Sequence, residues 1–564
     1  MIRVHPSLRH RFTPLARLAS LPLLGALVLG PGCKTETPEQ AKPTPELDAV
    51  ERGPVAEAPT PPPTGARVHT IDSAPIADHG GVIATLQLPS GTAMTDIAAV
   101  LDSVQPGASM MLTLQLPKLL EEAVGFKLGD AKLNAPISLV VANPRAHGQP
   151  VAMLVEASNP AALREQATAA GYEVRERDGR LLIGPAPIVA ATEDFAFTHL
   201  TGYPDHSEFI VYPGMLLKIF AEDIAEGLDS MSAMMAGLGT TSEGSVALLR
   251  SYVKGMIAVG HQTERVVFSI SSAAGSADLN VRLYPTEASV FASFVAAQVP
   301  ADHALLSKLP STAQAGMMVM SGDLRAGDAR AALIDFSIEF MGSIYSSLSS
   351  EEWAALMNPW LDNIDGRFAA TTAMNIGADP AAIGMDLNAV MGAVDSEALR
   401  SAWRAMLGQM AKQSGFEMMG MKIEVRYEQD ALEHDGVSID HYATTLDAST
   451  LPANERAAME AAGSTNQQLH LAIFDGVAAI ATADEAGRSI GAMIDASRGK
   501  AEGLQPAADL AAALSTAIHR GDSAIMYFDL NNIADAGAQV PFRAFTFNVG
   551  KSGPALDVRI SIRK

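Results

Sequence analysis

The sequence predicts an α+β fold in which antiparallel sheets carry helices on one face and are built from repeated strand–strand–helix units. Pairs of short apolar runs are followed by a helical pattern at four places in the 564-residue chain. Asp-Gly dipeptides also stand between apolar runs, and Asp-Gly favours the tight turns that join twisted antiparallel strands. Strands joined by short turns, with helices interleaved, are typical of an antiparallel α+β sheet.

The first unit pairs strands at 137–142 and 151–156. Asn159 is expected to cap the helix that follows, and Pro160 suits its first position, where a missing amide hydrogen is harmless. The other units pair 265–271 with 278–284, 368–374 with 383–390, and 469–474 with 477–482. Their helices are expected to end near Gln298, Lys412 and Ala496, and Asp395 is expected to cap the helix of the third unit.

Two further hairpins and a longer-range repeat of apolar runs are also indicated. The hairpins are indicated by Asp178-Gly179 and Asp435-Gly436. Four apolar runs, which begin at 108, 207, 315 and 523, recur about 100 residues apart, with a last gap about twice that length. This spacing predicts tandem units of about 100 residues or a duplication of about 207.

Residues 1–32 have the pattern of a secretory signal peptide. Four arginines precede an apolar run that begins at Leu18 and is too short to span a membrane. No acidic residue lies in these 32 residues. The run ends in Gly30-Pro31-Gly32, directly before Cys33, which is the only cysteine in the chain.

This arrangement resembles the lipobox of bacterial lipoproteins, although Leu29 stands four residues before Cys33 where the family has its leucine three before. The resemblance implies cleavage before Cys33 and acylation of that residue, which would anchor the chain to a lipid bilayer. Lys34 is not the Asp that retains enterobacterial lipoproteins at the inner membrane, so the resemblance favours the outer membrane of a Gram-negative-type cell envelope. An ordinary signal peptide and an uncleaved anchor are the alternatives.

Residues 33–67 are expected to comprise the acylated cysteine and a Pro-rich tether. Eight prolines and almost no large apolar residue between 34 and 66 leave this segment nothing with which to build a core. The body is expected to divide into a first α+β repeat region at 68–314 and a second at 315–564.

The charge of the chain excludes some partners. Removal of residues 1–32 takes away four arginines and no acid, which changes the formal net charge from -23 to -27. A surface this acidic repels phosphate backbones, so nucleic acid is not expected as a partner. With Cys33 acylated, the body would have no thiol chemistry and no cysteine-containing zinc site.

One motif is hydrolase-like. Residues 487–491 fit G-x-S-x-G, the nucleophile elbow of the α/β-hydrolases, and Asp509 and His519 follow Ser489 in that family's chain order. The elbow needs a strand that runs directly into a sharp turn at the serine, whereas the strand here is expected to end near Thr482. We therefore interpret Ser489 as an ordinary helical serine.

A second cluster surrounds the Asp435-Gly436 turn. It contains oxygen and imidazole groups that would suit a divalent cation, namely Glu433, His434, Asp435, Asp440 and His441. Because neighbouring strand side chains alternate faces, we expect the cluster to be split and the hairpin tip to be solvated. The sequence indicates no cofactor, no metal ligand and no catalytic residue.

Two predicted helices are notably apolar, one along a stripe from Leu217 to Leu238 and the other along a band from Leu333 to Leu348 with Phe340 at its centre. The predicted function is that of an anchored envelope lipoprotein that binds or scaffolds an envelope protein or apolar ligand without catalysis. The alternatives are a carrier that holds lipid or another apolar ligand in a cleft between helices and sheet, and a hydrolase that uses Ser489.

The anchor is tested by Cys33→Ser. Serine offers no thiol for the thioether bond, so we expect the variant to lose incorporation of a metabolically supplied fatty-acid analogue. Label that persists in the variant would contradict acylation at Cys33.

Overall fold

The structure is a computed structural model, and residues Asp78–Lys564 form one compact unit in it. Between 102 and 132, and at 257, 449 and 456, it describes single residues or short runs. Elsewhere it describes residues 81–88, 135–200, 207–237, 259–273, 276–311, 316–323, 349–376, 383–412, 415–418, 421–447, 466–484, 486–529 and 542–563.

Nineteen strands and eight α-helices are described. The strands are β1 Ala84–Leu88, β2 Ile137–Val141, β3 Val151–Glu156, β4 Glu173–Arg177, β5 Arg180–Gly184, β6 Glu208–Val211, β7 Thr263–Ala273, β8 Ser276–Pro285, β9 Gly316–Ser321, β10 Ile364–Ile376, β11 Ile383–Ala393, β12 Phe416–Met418, β13 Met421–His434, β14 Val437–Asp447, β15 Asn466–Phe474, β16 Val477–Thr482, β17 Ala524–Asp529, β18 Ala544–Ser552 and β19 Ala555–Arg563. The helices are α1 Pro160–Ala169, α2 Ala186–His199, α3 Pro213–Gly237, α4 Val290–Ala296, α5 Ser350–Asn363, α6 Ser396–Lys412, α7 Arg488–Ser497 and α8 Ala508–Arg520, with a 3-10 helix at His303–Lys308.

The predicted antiparallel α+β architecture is confirmed. All four predicted strand pairs form antiparallel hairpins, and each is followed by a helix. Asn159 accepts a hydrogen bond from the backbone amide of Ala162, so it caps α1 as its sequence position predicts. Both extra Asp-Gly hairpins form, and Asp178 and Asp435 adopt the positive φ that these turns require.

The strands form one continuous sheet in which every pairing is antiparallel. Their spatial order is β12, β13, β14, β15, β16, β11, β10, β9, β17, β18, β19, β8, β7, β6, β1, β2, β3, β5, β4. Strands β1–β8 belong to the region 68–314 and β9–β19 to the region 315–564. The pairing of β8 with β19 joins the two sets, and we call this pair the seam.

The strand order is the same on both sides of the seam. β1 lies between β2 and the series β6–β7–β8, and β9 lies between β10 and the series β17–β18–β19. The apolar runs predicted from 207, 315 and 523 form β6, β9 and β17, whereas the run from 108 lies mostly outside the described residues. By topology, β1 rather than that run is the counterpart of β9.

Helices lie on both faces of the sheet, so the expectation of helices on one face is not confirmed. On β15, Ala472 and Phe474 pack in the cluster that contains Ile490 and Met493 of α7, while Leu471 and Ile473 pack in the cluster that contains Leu399 and Trp403 of α6. Because adjacent side chains of a strand point to opposite faces, α6 and α7 cover opposite sides. The apolar residues of β15 and β16 occupy both faces, so both need cover.

Gly366, near the start of β10, packs closely against the backbone of Gly322. Its φ is +85°, and a Cβ there would lie 1.9 Å from the carbonyl oxygen of Gly322. We expect Gly366→Ala to lower the free energy of unfolding by more than about 3 kcal/mol, measured by urea denaturation, because a clash adds to the left-handed strain.

Gly179→Ala is the matched control. Its φ is +75°, but nothing lies within 4 Å of the added methyl group. It should cost only the backbone strain of roughly 1–2 kcal/mol. Equal losses of unfolding free energy in the two variants would show that the backbone at Gly322 shifts at no cost to make room for the methyl group.

Candidate apolar binding surface

The strands around the seam bring two rows of apolar side chains together. Register across β7, β8, β19 and β18 places one row at Phe268, Val281, Val558 and Val549. The neighbouring row, two residues away on each strand, is Ile270, Leu279, Ile560 and Phe547. Partners in register share a face of the sheet, so both rows point to the same side.

We call this side the apolar face. In the spans 266–270, 279–283, 558–562, 545–549, 526–528 and 318–320, every side chain that points to it is apolar. They are Val266, Phe268, Ile270, Leu279, Val281, Leu283, Val558, Ile560, Ile562, Phe545, Phe547, Val549, Met526, Phe528, Met318 and Met320.

None of these side chains is fully buried. Most are half-buried, and Phe528 and Met320 are exposed at 38% and 43%. On the same side of the sheet, the β11–β16 end is covered by α5 and α6, where Trp403 and Leu361 are buried. The apolar face therefore continues a covered core into a region where the apolar side chains are only partly buried.

The opposite side of the seam is polar, and part of it is buried. It includes Asn280, Asn548, Thr546 and Ser561, none more than 8% exposed. Ile525 and Tyr527 continue this side into the core that α8 covers. Around the seam, the polar side thus combines buried residues with the half-buried Arg282, Asp557 and Arg559, while the side chains of the apolar face are half-buried or exposed.

A hydrogen-bond network joins several groups of the polar side, although Oδ1 of Asn548 and Nη1 of Arg520 are buried without a hydrogen-bond partner. Nε of Arg559 donates to Oδ1 of Asn280 at 2.7 Å, directly across the seam. Nδ2 of Asn548 donates to Oδ2 of Asp522 at 3.2 Å, and Arg520 lies 3.3 Å from Asp522. Burial is tolerable for these groups because they are paired.

Burial nevertheless perturbs the charged members of this network. Desolvation raises the pKa of the Asp522 carboxyl, although Arg520 and Arg559 oppose the shift. Desolvation also lowers the pKa of the Arg520 guanidinium, against the effect of Asp522. The charged forms of Asp522 and Arg520 therefore carry a desolvation cost in the folded state.

The hydrolase candidate does not form a nucleophile elbow. β16 ends at Thr482, α7 begins at Arg488, and Ser489 is in the first turn of that helix. Its hydroxyl donates to Oδ2 of Asp484 at 3.2 Å, and Asp484 also accepts from the backbone amides of Arg488 and Ser489. The Ser489 hydroxyl therefore belongs to a helix-capping arrangement, while Asp509 and His519 are exposed on α8.

The residues around the Asp435-Gly436 turn are split among different partners, as strand alternation predicts. His434 lies 3.0 Å from Asp495, and Arg498 and Lys500 hold the pKa of Asp435 down at about 2. Glu433 is exposed and lies opposite Ser438. Within the part of the chain that the structure describes, no group of three or more His, Cys, Asp or Glu could hold a metal ion.

The other two residues of that cluster lie further along the hairpin. Asp440 accepts two hydrogen bonds from Arg404 and one from the Tyr427 hydroxyl at 2.6 Å. Burial, with the Asp440 carboxylate, raises the pKa of Tyr427. His441 faces His470 with ring centroids 5.5 Å apart, and burial lowers the pKa of His470. Asp440 thus forms an ion pair with Arg404 that links α6 to the sheet.

Several predicted features lie outside the described residues, namely Cys33, the segment 34–67 and the band that contains Phe340. The other apolar helix forms as α3, with Leu217, Phe220 and Ile224 half-buried. Among described residues, no helix is long and apolar enough to cross a membrane. The apolar face was not predicted, although the alternation of apolar and polar residues in 544–552 and 555–563 is a signal that could have found half of it.

Comparisons with known proteins add little. No protein-family model matches the chain, and no curated protein sequence matches it. Among solved structures, it is similar to one described as the structure of crystal form III of TP0453, with 8% sequence identity and a TM-score of 0.24, over 46% of this chain and 91% of that one. A TM-score this low carries no argument about fold or function.

The buried carboxyl under the seam predicts a pH effect. Because the pKa of Asp522 is raised on folding, the folded state keeps this proton at pH values where the unfolded state has lost it. The free energy of unfolding of the native sequence should therefore fall relative to that of Asp522→Asn as pH rises from about 4.

Denaturant titrations over a pH series measure this difference. Asp194→Asn, at a side chain that is 99% exposed, controls for the loss of one carboxylate. A difference between the native sequence and Asp522→Asn that does not change with pH would contradict the account of this network.

Proposed function

We propose that this chain is a lipid-anchored protein of a Gram-negative-type cell envelope that binds an apolar ligand without catalysis. The observation that carries the binding role is the apolar face: sixteen side chains on six neighbouring strands, none of them fully buried. Exposed apolar patches of this extent mark sites of interaction with proteins, membranes or ligands.

The anchor rests on the signal peptide and on Cys33. Two lipid signals are needed for stable attachment, and a diacylated cysteine supplies them. Lys34 favours the outer membrane over the inner one. The tether 34–66 would hold the body roughly 30 Å from the bilayer as a flexible coil, or roughly 100 Å away as extended polyproline II.

The ligand class follows from the chemistry of the face. Its aromatic, branched aliphatic and thioether side chains offer dispersion contacts and no hydrogen-bonding group, so the fitting ligand is a hydrocarbon chain such as the acyl chain of a lipid. Burial of apolar surface stabilises such a complex by roughly 25 cal/mol per Å² removed from water. An envelope protein with an apolar surface is the alternative partner.

We also propose that the two regions arose by duplication. The equal strand orders support this, and so does a match of side chains between β7–β8 and β18–β19 at an offset of 279 residues. At that offset Phe268 corresponds to Phe547, Val281 to Ile560, and Asp278 to Asp557. The repeating unit would then be a half of the body rather than a strand–strand–helix module.

Binding is tested with a dansyl-labelled fatty acid and a chain that carries Cys33→Ser, which removes competition from acyl groups of the anchor. Phe528→Ser and Met320→Ser alter the two most exposed side chains of the face. Each should weaken probe binding by about fivefold or more, because loss of about 1 kcal/mol of apolar contact has that effect on Kd.

Ile518→Ser is the matched control, because Ile518 is a 56% exposed apolar residue of α8, outside the apolar face. It should leave probe affinity unchanged. A native chain that fails to bind the probe, or equal losses in all three variants, would contradict the proposed site.

A further inference from the structure

Two histidines lie side by side on neighbouring strands of the sheet. His441 of β14 and His470 of β15 are partners in register, so their side chains point to the same face. Their ring centroids are 5.5 Å apart, and the ring planes are inclined to each other by 58°. The two imidazoles are therefore close neighbours that are not stacked.

This histidine pair lies on the side of the sheet that α7 covers. His470 and Ala472 point to the same side of β15, and Ala472 packs in the cluster that contains Ile490 of α7. Ile525 belongs to the same cluster, whereas its neighbour Met526 points to the apolar face. The histidine pair is therefore on the opposite side of the sheet from the apolar face.

One nitrogen of the histidine pair lacks a partner. The side chain of His470 is buried, with 5% of the residue exposed, and its Nδ1 atom has no hydrogen-bond partner. A buried polar atom without a partner is uncommon in folded proteins, and a bound ion is one explanation for it. His441 is half-buried, so part of the pair remains in contact with solvent.

The protonation state and surroundings of the histidine pair suit a metal ion. Burial lowers the pKa of His470, and the neighbouring His441 lowers it further, so this imidazole is neutral near pH 7. The neutral imidazole is the form that binds a transition metal. Asp484 interacts electrostatically with His470, and Glu428 lies in register with His441. These two carboxylates favour a cation at the pair.

We propose that His441 and His470 together bind a divalent transition-metal ion such as Zn²⁺, through one nitrogen of each ring. In a tetrahedral zinc site each ligating nitrogen lies about 2.0–2.1 Å from the ion, which places the centroids of two ligating rings roughly 5 Å apart. The observed separation of 5.5 Å is close to this value. The described residues bring no group of three or more His, Cys, Asp or Glu together for a metal, so water would complete the coordination.

Zinc binding is measured by isothermal titration calorimetry on the full chain with Cys33→Ser and no affinity tag, which leaves no thiol to bind the ion. We expect one Zn²⁺ per chain near pH 7. Mg²⁺ should not bind at the same concentrations, because it prefers oxygen ligands to imidazole. Zn²⁺ binding should be lost below about pH 6, where protons compete for the two rings.

His441→Gln is the main variant, because a half-buried position tolerates an uncharged polar side chain better than the buried position of His470. It should weaken Zn²⁺ binding by about tenfold or more, since loss of even an outer partner of a metal ligand costs 10–100-fold in affinity. His519→Gln is the matched control, because His519 is an exposed histidine of α8, and it should leave the affinity unchanged. Circular dichroism shows whether each variant is folded.

Cu²⁺ provides a measurement that requires no substitution in the histidine pair. The electron paramagnetic resonance spectrum of one equivalent of Cu²⁺ should show coupling to two imidazole nitrogens in the chain with Cys33→Ser, because Cu²⁺ also prefers imidazole ligands.

The outcomes separate this inference from the proposed function, which it does not require. Absence of Zn²⁺ binding, equal affinity in His441→Gln, or equal binding of Mg²⁺ would each overturn the metal site. A copper spectrum without coupling to two imidazole nitrogens would also overturn it. None of these results bears on the apolar face, and the dansyl-labelled fatty acid should bind equally with and without Zn²⁺.

Discussion

The antiparallel pairing of β8 with β19 is the constraint on which the rest of the structure depends. It joins eleven strands of one region to eight of the other in a single sheet. Because a slip of one residue would turn every side chain to the other face, the register of this pair decides which side of the sheet is apolar. With Asn280 opposite Arg559, Val281 and Ile560 point to the apolar side and Asp557 and Arg282 to the polar one.

The polar side explains how such a register is maintained. Arg559 and Asn280 are hydrogen-bonded across the seam, and the buried Asp522 is paired with both Arg520 and Asn548. A shifted register would leave buried polar groups without partners, which costs about 1–3 kcal/mol for each group. The polar network thus provides specificity for an arrangement in which the other side of the sheet keeps partly exposed hydrocarbon.

Local structure could be predicted from this sequence, and long-range pairing could not. The Asp-Gly turns and the Asn159 cap depend on interactions within a few residues, so their residues alone indicate them. The partner of β8 lies more than 270 residues away, and no local pattern specifies it. The helices on both faces were not predicted for a similar reason. A fully apolar strand such as 471–474 does not show which element covers each face of the sheet. Of the candidate residues, the cluster at Asp435 was expected to be split, and the structure shows how, whereas the apolar face emerged only from the register.

The central claim is that the apolar side of the seam is open to a ligand while the polar side, one residue away, is closed. The measurement is the rate of thiol labelling of Ile560→Cys and of Ser561→Cys, each in a chain with Cys33→Ser and hence a single thiol. Ile560 is half-buried and Ser561 is 7% exposed. The account predicts rapid labelling at 560 that a saturating fatty acid suppresses, and slow labelling at 561 with or without it. Equal rates at the two positions, or labelling at 560 that the fatty acid does not change, would contradict it.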